Sequence, residues 1–159
     1  MRKSVGIVAA FAVGVLVAVP VALAFSGSGK LDTQAYRLRT TPASTSNKSF
    51  VAIPGLDETV CAQNEVAATV SGNAQGSGFA LLVRVDFDGA MGPGAAYIYP
   101  PANGAAASFS VTFLIITAPF EGNDHHEFTV QWRSLTGKPA ALQRGLLNLQ
   151  FENGTHMCP

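Results

Sequence analysis

The sequence predicts an all-β fold, an antiparallel β-sandwich or jelly roll, preceded by an N-terminal signal or anchor helix and a flexible linker. Three observations carry this expectation. From Phe50 onward apolar and polar residues alternate with a period of two, the pattern of a half-buried antiparallel sheet. Gly, Pro, Asn and Asp interrupt the alternation at near-regular intervals. After residue 30 no stretch of useful length shows helical periodicity. A chain of 159 residues fits one domain, and the expected division is a signal or anchor segment over 1–24, a linker over 25–49 and the β-domain over 50–159.

The N-terminal segment begins with Arg2 and Lys3, followed by an apolar run from Val5 to Ala24. Ala22-Leu23-Ala24 places small residues at the positions a signal peptidase reads. Pro20 ends a helix just before that site, where the peptidase needs extended substrate. Cleavage after Ala24 would leave Phe25 as the new terminus. The alternative is an uncleaved anchor, since the run is about long enough to span a bilayer, with its positive end cytoplasmic. Both readings place the domain outside the cytoplasm, as a secreted or membrane-anchored protein. The Ala/Val/Gly-rich run has a bacterial character.

Ser26 to Ser49 reads as a linker, with Ser26-Gly27-Ser28-Gly29 at its start and a Ser/Thr/Pro-rich stretch from Thr40 to Asn47. Such composition buries too little apolar surface to offset its ordering entropy. The bias suits a plain spacer or an O-glycosylated stalk. Leu31 to Arg39, with Tyr36 and Leu38, is included in this linker. Asn47-Lys48-Ser49 and Asn153-Gly154-Thr155 match the N-glycosylation sequon, a coincidence in a bacterial chain.

Strands are expected next. Phe50 to Ile53 is closed by Pro54-Gly55, and Val66 to Val70 is closed by Ser71-Gly72-Asn73. Phe79 to Phe87 places Leu81, Val83, Val85 and Phe87 on one face, and Leu82, Arg84 and Asp86 on the other. Asp88-Gly89 then marks a tight turn. Ala95 to Tyr99 is stopped by Pro100-Pro101. Phe109 to Thr117 carries Phe109, Val111, Phe113 and Ile115 on one face. In Glu127 to Ser134, Phe128, Val130 and Trp132 point inward, with Glu127, Thr129, Gln131 and Arg133 outward. Thr136 to Pro139 forms a loop, and Ala141 to Phe151 returns as the last strand.

Charged residues are only 13% of the chain, against about 25% in a typical soluble domain. Lys+Arg and Asp+Glu both number 10. This flat balance offers neither the basic footprint of a nucleic-acid binder nor a handle for anionic lipid. The two cysteines, Cys61 and Cys158, read as a disulfide in an exported protein. That bridge would tie the start of the domain to its end. In the chain-entropy model a loop of this length gives ~4–5 kcal/mol. No Cys-x-x-Cys spacing supports a redox or metal thiolate pair.

The layout FSVTF at 109–113, an acidic His-containing loop, EFTVQWRSLTG at 127–137 and ALQRGLLNLQF at 141–151 resembles the C-terminal strands of uncharacterised small secreted bacterial jelly-roll domains. It is broadly similar to C1q/TNF-like sandwiches in layout. The resemblance covers the last third of the chain. It implies a fold and no catalytic residues.

Several residues are weighed as sites. His125 and His126, with Asp124, Glu127 and the more distant His156, have the donors of a transition-metal site. Adjacent side chains diverge on an extended strand, however, so a polar hairpin loop is the competing reading. Asp86-Phe87-Asp88-Gly89 resembles the start of a calcium loop without its further ligands, and reads instead as a strand followed by a turn. Ser77, between two glycines, lacks the surroundings of an activated nucleophile. Carboxylate pairs of the glycosidase kind are not legible among ten acids. Trp132 shares its parity with core residues. Tyr97 and Tyr99, beside the proline pair, are the expected exposed contact residues.

The expected function is an exported, non-catalytic interaction or structural module, with no catalytic residue and no cofactor. Its partner would be a protein or glycan at the cell surface. Membrane contact would arise only through an uncleaved N-terminal segment, and homo-oligomers would form through an exposed sheet edge. The alternatives are a carbohydrate- or small-ligand-binding sandwich using Tyr97 and Tyr99, and a secreted hydrolase whose site the sequence does not identify.

Overall fold

A computed structural model describes residues 33–61, 65–76, 78–92, 94–116 and 125–151. The expected signal or anchor segment over 1–24 lies outside them. The described residues are all-β, with antiparallel pairing throughout.

Ten strands follow in order: β1 Thr33–Arg39, β2 Ala43–Thr45, β3 Val51–Cys61, β4 Glu65–Gln75, β5 Leu81–Phe87, β6 Ala90–Met91, β7 Ala96–Ile98, β8 Ala106–Ile116, β9 His125–Ser134 and β10 Ala140–Phe151. They form two five-stranded sheets. One has the order β1-β10-β4-β8, with β2 also on β10; the other has the order β3-β9-β5-β6, with β7 also on β5. Most connections therefore carry the chain from one sheet to the other.

Period-two alternation explains the burial. In β9, His126, Phe128, Val130 and Trp132 are buried, and the intervening residues are exposed or half-buried. In β10, Leu147, Leu149 and Phe151 are buried in the same rhythm. Both sheets contribute to one contiguous core, with Val66, Val70 and Leu147 from the first and Val60, Leu81, Val85 and Trp132 from the second. Trp132 is only 1% exposed, as its parity predicts.

The segment 25–49 is not a linker throughout. β1 pairs with β10 from Thr33↔Phe151 to Arg39↔Gly145, and β2 pairs with the beginning of β10. The sequence hides β1 because its large apolar residues face solvent: Tyr36 and Leu38 are 64% and 62% exposed, while small Ala35 enters the core. Arg37 bonds to Glu58 of β3 through Nε at 2.8 Å and Nη2 at 3.1 Å. Arg39 donates to the carbonyls of Pro54 and Pro42. An ion pair and arginine-to-carbonyl hydrogen bonds, rather than an apolar stripe, tie β1 to the neighbouring chain.

The expected stops at Pro54-Gly55 and at Gly72 are also passed through. β3 continues beyond the proline with a register shift between Ala52 and Asp57, and Gly55 has φ +77°. Proline is tolerated because β3 is an edge strand with a bulge. β4 runs to Gln75 because Gly72 lies opposite Gly145 in the β10 ladder and opposite Phe109 in an unbroken ladder with β8.

Candidate contact site

β7 positions the tyrosines. Ile98 faces the core, so Tyr97 faces out; β7 ends at Ile98, and Tyr99 follows it directly, before buried Pro100. Tyr97 and Tyr99 are 57% and 69% exposed. Their rings are near-parallel, 13° apart in plane, with centroids 6.2 Å apart. The exposed pair expected from the sequence is thus present and mutually ordered.

Beside it, the outer face of the second sheet is more ordered than its alternation predicts. Leu82 pairs with Tyr97 on one side and Arg133 on the other, and it is buried although it faces outward. Arg84 donates to Gln131 Oε1 from Nε at 2.9 Å and from Nη2 at 2.6 Å. Asp86 lies 3.9 Å from the same guanidinium. The Phe50 ring receives Arg84 at 4.1 Å and Arg133 at 4.9 Å from its centroid. Sequence reading missed this cluster. Its only local signal was the Arg84 and Arg133 parity, and Phe50 reaches them through the fold.

At the other candidate site the two histidines diverge as expected: His125 is exposed, whereas His126 is only 5% exposed. His126 Nδ1 lies 2.7 Å from Asp88 Oδ2 and its ring is 4.9 Å from that of Phe87. Asp88 Oδ1 accepts from the Glu127 amide at 2.8 Å, and the Asp88 amide donates to the Glu127 carbonyl at 3.0 Å. Among the described residues His126 Nε2 is buried with no hydrogen-bond partner. A carboxylate on one ring nitrogen and no solvent at the other fit a packing role for this ring.

Asp124, His156 and Ser77 lie outside the described residues. Among the described residues no three His, Cys, Asp or Glu side chains gather around a point that could hold a metal. Asp86 and Asp88 do not converge as calcium ligands: the first faces Arg84 and the second faces His126. Cys61 ends β3 opposite His125 and is not a free thiol. Cys158 lies outside the described residues.

No family model and no curated protein matches the chain. Among solved structures, that of dimeric latent PorU from Porphyromonas gingivalis is similar over 74% of this chain and 13% of its own, at 11% identity and a TM-score of 0.35. The chain therefore corresponds to a small part of that protein, and a likeness of this degree carries no argument.

Proposed function

We propose that the protein is an exported, non-catalytic binding domain of the jelly-roll type, and that Tyr97 and Tyr99 form its contact platform. The jelly-roll reading is supported by a chain that passes repeatedly between two antiparallel sheets around one core. Export is supported by the N-terminal sequence, with its positive start, apolar run and Ala22-Leu23-Ala24. In that oxidising setting Cys61 and Cys158 pair.

The observation that carries the function is the exposed, near-parallel tyrosine pair. Two large aromatic rings left in water are a standing source of binding energy. Their short side chains have few torsions to immobilise, so little entropy opposes contact. The phenolic oxygens add donors and acceptors at the rim. Such a platform accepts a flat apolar surface with polar edges. The near-parallel rings also favour a glycan, because the C–H face of a pyranose rests on an aromatic ring while its hydroxyls reach the phenols.

The test is binding of the purified protein to arrays of cell-surface glycans and to cell-surface protein extracts, with Tyr97→Ala/Tyr99→Ala as control. Binding that falls at least about tenfold in the variant, with an unchanged melting temperature, supports the platform. Binding that survives the double substitution undiminished removes the tyrosines from the site.

A further inference from the structure

The four outer edges of the two sheets differ in how they are protected. An open edge offers unpaired backbone N–H and C=O groups to any extended chain. β1 carries Arg37 and Arg39, both tied across to the opposite sheet. Its neighbour at that side, β3, is interrupted at Pro54 and Gly55, where the register shifts. The far edge of the second sheet is divided between the very short strands β6 and β7. Arginines, a bulged proline and short strands all discourage edge pairing.

β8 has none of these devices. It is eleven residues long, AASFSVTFLII, without charge, proline or glycine. It runs along β4 in unbroken register from Glu65↔Ile116 to Gln75↔Ala106. Among the described residues it pairs with no other strand. Phe109 and Val111 pack against the core yet are only partly buried, and among the described residues no further strand lies beside them.

We propose that β8 pairs antiparallel with β8 of a second copy of this chain, about a two-fold axis at Val111. The centre of the strand, 109–113, is self-complementary in that register. Phe109 meets Phe113 of the second copy on the core side, and Ser110 meets Thr112 of the second copy on the outer side. In these central pairs apolar residues meet apolar residues and hydroxyls meet hydroxyls, while farther out Ser108 lies opposite Leu114. The strand carries no charge, so two copies approach without repulsion. A two-fold contact also consumes both open edges at once. What remains outermost on the joined sheet is β1 with its arginines, so growth stops at the dimer. Strand pairing alone buries less area than a permanent dimer requires, so association is reversible. This contact lies on the other sheet from the tyrosines and stands independently of them.

Sedimentation velocity on the recovered protein, from about micromolar to about millimolar, tests the proposal, together with backbone hydrogen exchange at both extremes. The expected result is a monomer–dimer equilibrium with exchange in β8 slowed at high concentration. Ser110→Lys/Thr112→Lys places like charges opposite one another across the axis on exposed positions. It is expected to weaken dimerisation at least tenfold while the melting temperature of dilute protein stays within a few degrees. A monomer at every concentration overturns the proposal. So do species that grow beyond two copies, a dimer with unchanged exchange in β8, or a folded double variant that dimerises as well as the parent.

Discussion

Gly72 and Gly145 face one another across the β4–β10 ladder, close to the register shift between Leu142 and Arg144. A Cβ on Gly72 would lie 2.5 Å from the Arg144 carbonyl oxygen and 2.9 Å from Leu142 Cδ1. The first of these atoms is backbone, held by the bulge, and has little room to yield. A Cβ on Gly145 would instead meet the ends of two side chains, Leu56 Cδ1 at 2.8 Å and Leu142 Cδ2 at 2.9 Å. Gly72→Ala is therefore expected to destabilise by ~1–3 kcal/mol, the range for overpacking, and Gly145→Ala by less. Urea denaturation of the two variants checks the order; equal losses would mean that the bulge accommodates as readily as the leucines. Sequence reading took Gly72 for the end of a strand, because a glycine beside Ser71 and Asn73 has the local chemistry of a turn. Its actual reason, a close approach by a strand some seventy residues away, has no local signature. At the same scale Trp132 was legible because its parity with neighbouring apolar residues assigns a face before the partner strand is known, and Tyr97 and Tyr99 were legible from their place beside the proline pair.

At the scale of elements, the β5–β6 hairpin shows how a turn can organise a neighbouring strand. Asp88 and Gly89 both have positive φ, +51° and +75°, as a two-residue turn of type I′ requires. The sequence identified this turn from Asp-Gly alone. It did not identify what the aspartate does next, because His126 and Glu127 come from β9. The Asp88 carboxylate closes the hairpin onto that strand through both oxygens, while its amide bonds the Glu127 carbonyl. Asp88→Ala removes both side-chain contacts and leaves His126 buried without a partner at either nitrogen. The expected cost is ~1–3 kcal/mol. Asp88→Asn keeps an acceptor for the Glu127 amide and tolerates positive φ, so it is expected to cost clearly less. Thermal melts of the two variants provide the check, and an Asp88→Ala loss no larger than that of Asp88→Asn would show that the turn alone, not the carboxylate, holds the hairpin. Of the candidate metal donors, His126 is engaged by Asp88 in this same arrangement. The donor-rich sequence around His126 has a structural consequence through Asp88, which sequence proximity does not reveal.

Over the whole molecule, the central strands were legible and the first edge was not. Alternation with large apolar residues on the inner face identifies β5, β9 and β10, whose inner residues fill the core. β1 inverts that pattern: it exposes Tyr36 and Leu38 and sends Arg37 and Arg39 toward β3. A segment with the composition of a linker is thus a strand of the first sheet, and this makes a prediction about the boundary of the folding unit. A chain beginning at Phe50 lacks β1 and β2. It loses the ladder from Thr33↔Phe151 to Arg39↔Gly145, uncovers one side of β10, and removes Arg37 from a Glu58 that is 5% exposed. Removing one charged hydrogen-bond donor from a buried carboxylate costs ~1–3 kcal/mol, a sizeable part of the ~5–15 kcal/mol by which domains are stable. A chain beginning near Leu31 keeps all of these contacts. The longer chain is expected to unfold cooperatively with the stability of the full protein, and the shorter one to show a much lower urea midpoint or no cooperative transition. Glu58→Gln in the shorter chain separates the two causes. If neutralising the carboxylate restores most of the midpoint, the missing arginine dominates; if it does not, the lost ladder does. Equal midpoints for the two starting points would return residues 33–49 to the role of a linker lying against a domain that is complete without them.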